Sequence, residues 1–350
     1  MIDALNNIGF GADFVDKGTK NEQIYLIQKA IESGVNVFDT AEIYSDGRSE
    51  SVLGESINGY RSKVFISTKF SPNNANFYSI INSCERSLRR LNTDYIDLYQ
   101  IHWPYPNSNL EIVKAFKHLK HQGKILNFGV CNYSKKEMLE MNELLGDDKI
   151  YSNQVEYNLF DRYIENDIIP YCNEQQIRIL AYSPLNKCRK ILDDNLINKL
   201  STKYNKKPAQ IALNWLTKNK NIIALPKTNN LNNLISNIAS NKFFMEDDDY
   251  KKLNSLGCVV KFIDPKKIIV SKNGEGNRKV YTTLVEALNN DLNFSPSPSQ
   301  LSQMIDDNIK PVRLIYNKKQ DKYHLVEGRI RYWSWVIKNG FTKKIPSLIY

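Results

Sequence analysis

The sequence predicts an α/β protein: a parallel (β/α)8 TIM barrel followed by a small α+β domain. Three observations carry this. Short apolar runs rich in β-branched and aromatic residues alternate with amphipathic stretches, the pattern of repeated βα units on a parallel sheet. Eight such units can be counted along the first 258 residues, and the rhythm stops from about residue 259. At 350 residues the chain also exceeds the roughly 250 of one such barrel, leaving room for one small domain. The division expected is therefore residues 1–258 for the barrel and 259–350 for the second domain.

The strand-like runs begin near Ile8, Asn36, Val64, Ile96, Leu126, Asn153, Ile177 and Ile222. Between them fall helix-like segments at Asn21–Ser33, Phe77–Leu91, Asn109–Gln122, Lys135–Leu145 and Pro208–Asn219, several with turn or cap residues at their starts. In the last part of the chain, Gly274-Glu-Gly and Ser295-Pro-Ser-Pro-Ser read as loops.

Composition narrows the class. A hydrophobic content of 41% with 25% charged residues suits a globular chain with a sizeable core and argues against disorder. Met1 is followed by neither a basic leader nor an apolar run of the roughly 20 residues that span a bilayer, so a cytoplasmic protein without a membrane partner is expected. The five cysteines, Cys84, Cys131, Cys172, Cys188 and Cys258, lie far apart, in an odd number and without zinc-like spacing. Reduced thiols and no bound metal are the expectation. From Pro265 onward, 15 Lys+Arg face 7 Asp+Glu, so +8 of the formal +10 lies there. A lysine-rich solvated surface and a site for a phosphate-bearing partner both fit that charge.

A second pattern bears on function. Directly after successive strands the chain places Asp39, Lys69, His102, Asn132, Gln154, Tyr182 and Lys227. In a β/α barrel these positions converge on the C-terminal face, where active sites sit. Any one of them is more often a cap or a turn; seven in register point to a site.

Gly34-Val-Asn-Val-Phe-Asp-Thr-Ala-Glu-Ile-Tyr44, followed by Ser49-Glu50 and Leu53-Gly54, resembles the first signature of the aldo-keto reductases. Leu88-Arg-Arg-Leu-Asn-Thr-Asp-Tyr-Ile-Asp-Leu-Tyr-Gln-Ile-His-Trp-Pro104 resembles the central one. Gly129-Val-Cys-Asn132 is similar to the family's nicotinamide-binding turn, and Tyr182-Ser-Pro-Leu185 to its ring-stacking segment. Together the motifs cover roughly residues 8–256. The resemblance implies an NAD(P)(H)-dependent enzyme that reduces an aldehyde or ketone, with Asp39, Tyr44, Lys69 and His102 as its catalytic set. Hydride addition leaves charge on the carbonyl oxygen, so an acid must stand close by. Tyr44 can be that acid, and a phenol with an ordinary pKa near about 10 needs a neighbouring cation to favour its ionised form. Lys69 fits the cation's role, Asp39 would keep it charged, and His102 would orient the carbonyl.

For the cofactor, the resemblance implies Cys131, Asn132 and Gln154 on the nicotinamide carboxamide and Tyr182 stacked on the ring. Ser183 and Leu185 would line the pyrophosphate, with Lys227, Thr228 and Asn237 at the adenosine end. Two positions depart from the family: Cys131 stands where serine is usual, and Asn233 where many NADP-dependent members place arginine. Lys227 can still meet a 2′-phosphate as a point charge, so either NADPH or NADH fits, with the balance toward NADPH. The short segments at 104–108 and after Leu185 imply an open mouth. Asp13, Ile43 and Trp103 would line it, suiting a hydrophilic carbonyl such as a sugar. A rival reading is a cofactor-binding regulatory or scaffold protein, since potassium-channel beta subunits resemble this family too.

In the last domain, Ile309-Lys-Pro-Val-Arg-Leu-Ile-Tyr, Tyr323-His-Leu-Val-Glu-Gly-Arg-Ile-Arg-Tyr-Trp-Ser-Trp335 and Gly340 to Ile349 resemble the ParB-N/sulfiredoxin-like domain. That resemblance implies a phosphate-binding turn, here Gly328-Arg329-Ile330-Arg331, opening a helix. A nucleotide or another phosphorylated ligand, nucleic-acid contact and a purely structural lid all remain readings of it, with nucleic acid the one not expected. Arg329 occupies the position of the cysteine that sulfiredoxins need, which excludes sulfinic-acid repair.

Overall fold

Eight parallel strands in sequence order close on themselves, and the closure is visible at a seam of backbone hydrogen bonds. In the computed structural model the described residues are 5–13, 18–185, 191–257, 260–271, 279–307 and 309–349. The Gly274-Glu-Gly loop, Cys188 and Cys258 lie outside them. The strands are β1 (Phe10–Gly11), β2 (Val37–Asp39), β3 (Phe65–Phe70), β4 (Ile96–Ile101), β5 (Ile125–Cys131), β6 (Ser152–Glu156), β7 (Arg178–Tyr182) and β8 (Ile222–Ala224). Each pairs in parallel with the next. The ring closes where Ile8 bridges Ala224, with Gly9 N donating to Ala224 O at 2.8 Å and Ala224 N to Asn7 O at 2.8 Å. A Cβ at Gly9 would meet Leu225 Cδ2 at 2.9 Å and Val37 O at 3.0 Å, so any side chain there would make Leu225 and the Val37 backbone give way at the seam.

All eight strand positions expected from the sequence are occupied, because a strand covered on both faces must be apolar nearly throughout. In β3 and β4 every residue is buried, including the polar ones. The helices that cover the ring are α1 (Lys20–Glu32), α2 (Arg48–Ser56), α3 (Phe77–Leu91), α4 (Asn109–His121), α5 (Lys135–Leu145), α6 (Ile168–Glu174), α7 (Asn195–Tyr204), α8 (Pro208–Leu216), α9 (Leu231–Ile238) and α10 (Asp247–Leu253). Their starts follow local chemistry. Thr19 with Glu22 and Ser134 with Glu137 form reciprocal capping boxes at α1 and α5, and Asn76 accepts from Ser79 N at α3. Asn92 and Asn205 end α3 and α7 in the left-handed conformation that asparagine tolerates.

The chain divides into two compact units, the first ending at Gly257. The second has its own mixed sheet in the order β10-β12-β11-β13-β9, from β9 (Lys261–Ile263), β10 (Ile268–Ile269), β11 (Val312–Asn317), β12 (Lys322–Glu327) and β13 (Ile345–Ile349). With α11 (Leu284–Asn289), α12 (Pro298–Ser302) and α13 (Arg329–Asn339) it is an α+β fold. Tyr332, Trp333, Trp335 and Val336 of α13 pack with Val312, Leu314, Leu325 and Ile345 in one core. The buried rings keep their polar atoms satisfied: Trp333 Nε1 donates to Tyr281 O at 2.9 Å and Tyr332 OH to Pro265 O at 3.0 Å.

In the first unit α2 is locked to α3 by a buried carboxylate. Glu50, fully buried, accepts from Arg90 Nη2 at 2.6 Å and Nε at 2.7 Å, and from Thr68 Oγ1 at 2.6 Å. The helices come so close that a Cβ at Gly54 would sit 2.6 Å from the Arg90 carbonyl. Arg90→Ala strands the Glu50 charge in the interior, and a loss of about 3–5 kcal/mol in urea unfolding is expected. A loss under about 1 kcal/mol, the scale of a solvated surface pair, would show that Glu50 finds water instead.

Candidate active site

The ends of β2 and β3 bring one cation and one anion together inside the barrel. Lys69 is fully buried; its Nζ donates to Asp39 Oδ2 at 2.7 Å and to Thr40 O at 2.6 Å. The other carboxylate oxygen, Asp39 Oδ1, accepts from Ser67 Oγ and from Gln154 Nε2, both at 2.8 Å. Burial opposes the charge on Lys69, but the Asp39 carboxylate overrides it and holds the ammonium's pKa above its ordinary value. Lys69 is therefore a fixed positive charge.

Tyr44 reaches this cation from a strained turn. Ser45 and Asp46 follow it with φ of 49° and 55°, and Gly47 with 85°. At Gly47 a Cβ would press against the Arg90 guanidinium at 2.6 Å, so the turn rests on the same arginine that neutralises Glu50. The Tyr44 ring centroid lies 5.1 Å from Lys69 Nζ and 5.6 Å, edge-on, from the His102 ring. Burial raises the Tyr44 phenol to about 12, with Lys69 pulling the other way. The expectation that the cation would favour the ionised form is corrected to that extent: Lys69 acts in the expected direction, but desolvation of the ring outweighs it.

His102 directly follows β4 and is buried, with Trp103 stacked on it at 3.9 Å. Burial first, and the Lys69 charge second, depress its pKa well below 6.5, so the imidazole is neutral. Its Nδ1 is buried without a hydrogen-bond partner among the described residues.

Several of the other expected residues are paired with one another. Tyr182 OH donates to Asn132 Oδ1 at 2.9 Å, joining the ends of β7 and β5. Asn132 has φ of 60° and Ser183 of 49°, so both strand exits turn sharply. Cys131 is buried beside Lys69 and its thiol is pushed up by burial, hence protonated. Leu185 and Thr228 are partly buried, and Asn237 is buried in α9. Lys227 and Asp13, expected to meet cofactor and substrate separately, form an ion pair at 3.0 Å. Ile43 and Trp103 are 42% and 43% exposed, consistent with side chains that line a rim. Sequence reasoning missed Ser67, Gln100 and Ser152, polar strand residues hidden in apolar runs; the signal was a hydroxyl or amide at an inward strand position.

In the second unit Gly328 caps α13 with φ of 93°, as a Gly-x-x-Arg turn requires. The two arginines are turned onto the chain. Arg329 donates to Val326 O at 2.7 Å and Leu325 O at 3.1 Å, and Arg331 to Lys310 O at 2.8 Å and Pro311 O at 2.9 Å.

A closed (β/α)8 barrel with a buried lysine–aspartate pair, a tyrosine and a neutral histidine at the strand ends defines a class of oxidoreductase. The chain belongs to the aldo/keto reductase family, whose model matches residues 7–257. It is 38% identical over 242 residues to the methylglyoxal reductase YeaE of Escherichia coli (strain K12), covering 67% of this chain and 85% of that protein. It is 30% identical over 250 residues to the glyoxal reductase of Bacillus subtilis (strain 168), covering 71% and 87%. Among solved structures, the aldo-keto reductase of Klebsiella pneumoniae in complex with NADPH matches with a TM-score of 0.68 and 29% identity, over 72% of this chain and 91% of that one. The protein is an NAD(P)H-dependent oxidoreductase. Among the described residues no helix is long and apolar enough to cross a membrane.

Because His102 stays neutral, kcat/KM should show no imidazole limb between about pH 6 and 8. The sign for stability is fixed too. An unfolded imidazole takes up its proton below 6.5 while the buried one does not, so this group withdraws stability as pH falls. Profiles of the wild type and His102→Gln check the assignment; an acid limb near 6.5 in the first that vanishes in the second would refute it.

Proposed function

We propose that the barrel reduces a small reactive dicarbonyl, methylglyoxal being the first to test, taking hydride from NADPH and a proton from Tyr44. The observation that carries this is the placing of Tyr44 between a permanently charged Lys69 and a neutral His102. Relatives named for methylglyoxal and glyoxal reduction supply the substrate class. A sugar or another hydrophilic carbonyl is the alternative that Asp13 at the rim suggests.

The residues present suit a nicotinamide. Asn132 brings an amide to the exit of β5 and Gln154 one within β6, where it pairs with Cys131, whose thiol is protonated. Tyr182, fastened to Asn132, offers a partly exposed aromatic face. Ser183 and Leu185 would follow the pyrophosphate, and Lys227, Thr228 and Asn237 would hold the adenosine end. Bound there, the cofactor supplies hydride to the carbonyl carbon. The residues manage the charge that this creates. Tyr44, whose pKa lies near 12, keeps its proton at neutral pH and releases it to the still more basic alkoxide. Lys69 then offsets the phenolate, Asp39 keeps Lys69 protonated, and His102 as a neutral donor polarises the carbonyl oxygen. This complete acid machinery favours an enzyme over a scaffold that only binds cofactor.

Tyr44→Phe and Lys69→Met should each lower kcat on methylglyoxal by about 100-fold or more, the scale of general acid–base catalysis, with NADPH binding retained. Near wild-type turnover by Tyr44→Phe would remove the acid from this assignment. Preference between NADPH and NADH should be modest, about 10- to 100-fold. Lys227 is held by Asp13, and Asn233 adds no charge. Dissociation constants for both cofactors decide it, and a ratio beyond a thousandfold would show that the adenosine end is misread.

For residues 260–349 the likeness to ParB-N/sulfiredoxin domains stays a resemblance, and we assign Arg329 and Arg331 to holding the turn before α13. Arg331→Ala, which removes the guanidinium that donates to the Lys310 and Pro311 carbonyls, should lower the unit's stability by about 1–3 kcal/mol. Calorimetry with ADP, ATP and CTP distinguishes this from a nucleotide site. Binding that Arg331→Ala weakens at unchanged stability would restore the phosphate reading.

A further inference from the structure

Three polar side chains form a chain of hydrogen bonds across the barrel interior that ends on the Asp39 carboxylate. Ser67, Gln100 and Ser152 are each fully buried, on β3, β4 and β6. Ser152 Oγ donates to Gln100 Oε1 at 3.2 Å, Gln100 Nε2 to Ser67 Oγ at 2.8 Å, and Ser67 Oγ to Asp39 Oδ1 at 2.8 Å. The strand between β4 and β6 makes room for them. A Cβ at Gly129 of β5 would stand 2.6 Å from Ser152 Oγ and 3.1 Å from Gln100 Oε1, so the crossing needs a residue without a side chain there.

The direction of this chain follows from the inventory of donors. A carboxylate only accepts, so the single proton of Ser67 must point at Asp39. Its oxygen is then left to accept, which forces Gln100 to present its N–H group to Ser67 and its carbonyl to Ser152. Every member therefore has one orientation, and the polarity runs toward the carboxylate. In a dry interior such a chain strengthens its terminal bond, and a half-satisfied one would be costly. Asp39 Oδ1 thus takes two donors, from Ser67 and Gln154, while Oδ2 is left to face Lys69.

We propose that Gln100, acting through Ser67, is a positioning residue for the reaction: the Ser152–Gln100–Ser67 chain fixes the rotation of the Asp39 carboxylate and thereby the place of the Lys69 charge beneath Tyr44. This rests on the reductase reading above. A buried carboxylate with one donor fewer can turn about its own axis, and the ammonium that it holds moves with it. Neither Gln100 nor Ser67 belongs to the set that would hold the nicotinamide, and Gln154, which does, keeps its own bond to Asp39 Oδ1, so NADPH affinity should hold.

The test compares Ser67→Ala, Gln100→Leu, their double variant and Ser67→Thr with the wild type. The readouts are kcat on methylglyoxal, the dissociation constant for NADPH from fluorescence, and the melting temperature. Each single substitution should lower kcat about tenfold, the worth of one charge-assisted hydrogen bond to a group that acts only in the transition state, with NADPH affinity unchanged. The double variant should be no worse than the more severe single, since both break one chain. Ser67→Thr keeps the hydroxyl and should return kcat to within about twofold. Full kcat in Ser67→Ala, or single effects that multiply in the double, would reduce the three residues to independent core contacts. Where Gln100→Leu fails to fold, the contrast between Ser67→Ala and Ser67→Thr decides by itself. A wild type that neither binds NADPH nor turns over would overturn the reductase reading itself, an outcome distinct from an active wild type with active variants.

Discussion

The site is organised around an ion pair that water does not reach. Lys69 and Asp39 lie in the barrel interior, where an isolated charge would cost several kcal/mol and lose or gain its proton instead. The pair persists because all its groups are occupied. The ammonium has a carboxylate oxygen and a backbone carbonyl, and the other carboxylate oxygen has two donors. From that requirement follow the polar residues in β3, β4 and β6, the glycine at 129 that lets them meet, and the neutrality of His102 beside a permanent cation.

A (β/α)8 barrel suits this arrangement because each strand end contributes one side chain to a shared centre while the helices carry the burden of stability. Asp39, Lys69, His102, Asn132, Gln154 and Tyr182 come from six successive strands, and no two neighbours on the same strand are needed. The turn that presents Tyr44 is the exception. It leaves the regular fold through two non-glycine residues of positive φ and rests on Arg90, which already neutralises Glu50. Strain at that turn is sustained by the α2–α3 contact, so catalytic geometry and helix packing share one guanidinium.

The second unit shows how a motif and its environment divide the work. Gly328 has the positive φ that a Gly-x-x-Arg turn demands, and that much could be read from the residue type. Which way the arginines point could not. The guanidinium groups turn toward the carbonyls of Leu325, Val326, Lys310 and Pro311. A positively charged segment thus spends two of its cations on its own backbone, and its excess charge alone says nothing about a phosphate.

The order of apolar runs determined the eight strands and the helices α1, α3, α4, α5 and α8, because strands covered on both faces must be hydrophobic and helices must be amphipathic wherever they lie. The same order placed Asp39, Lys69 and His102 at strand ends, and their spacing made the family legible. Pairwise geometry was beyond it. Lys227 and Asp13 are more than 200 residues apart and meet only because β1 closes on β8. Ser67, Gln100 and Ser152 look like interruptions in apolar strands until the closed ring brings β3, β4 and β6 into line across Gly129 of β5. The direction of the Tyr44 shift also depended on packing, since burial of its ring and the reach of the Lys69 charge are properties of the assembled barrel. Residue type sets which groups can donate, accept or ionise; distance and solvent exclusion, which exist only once the ring has closed, decide which of them do.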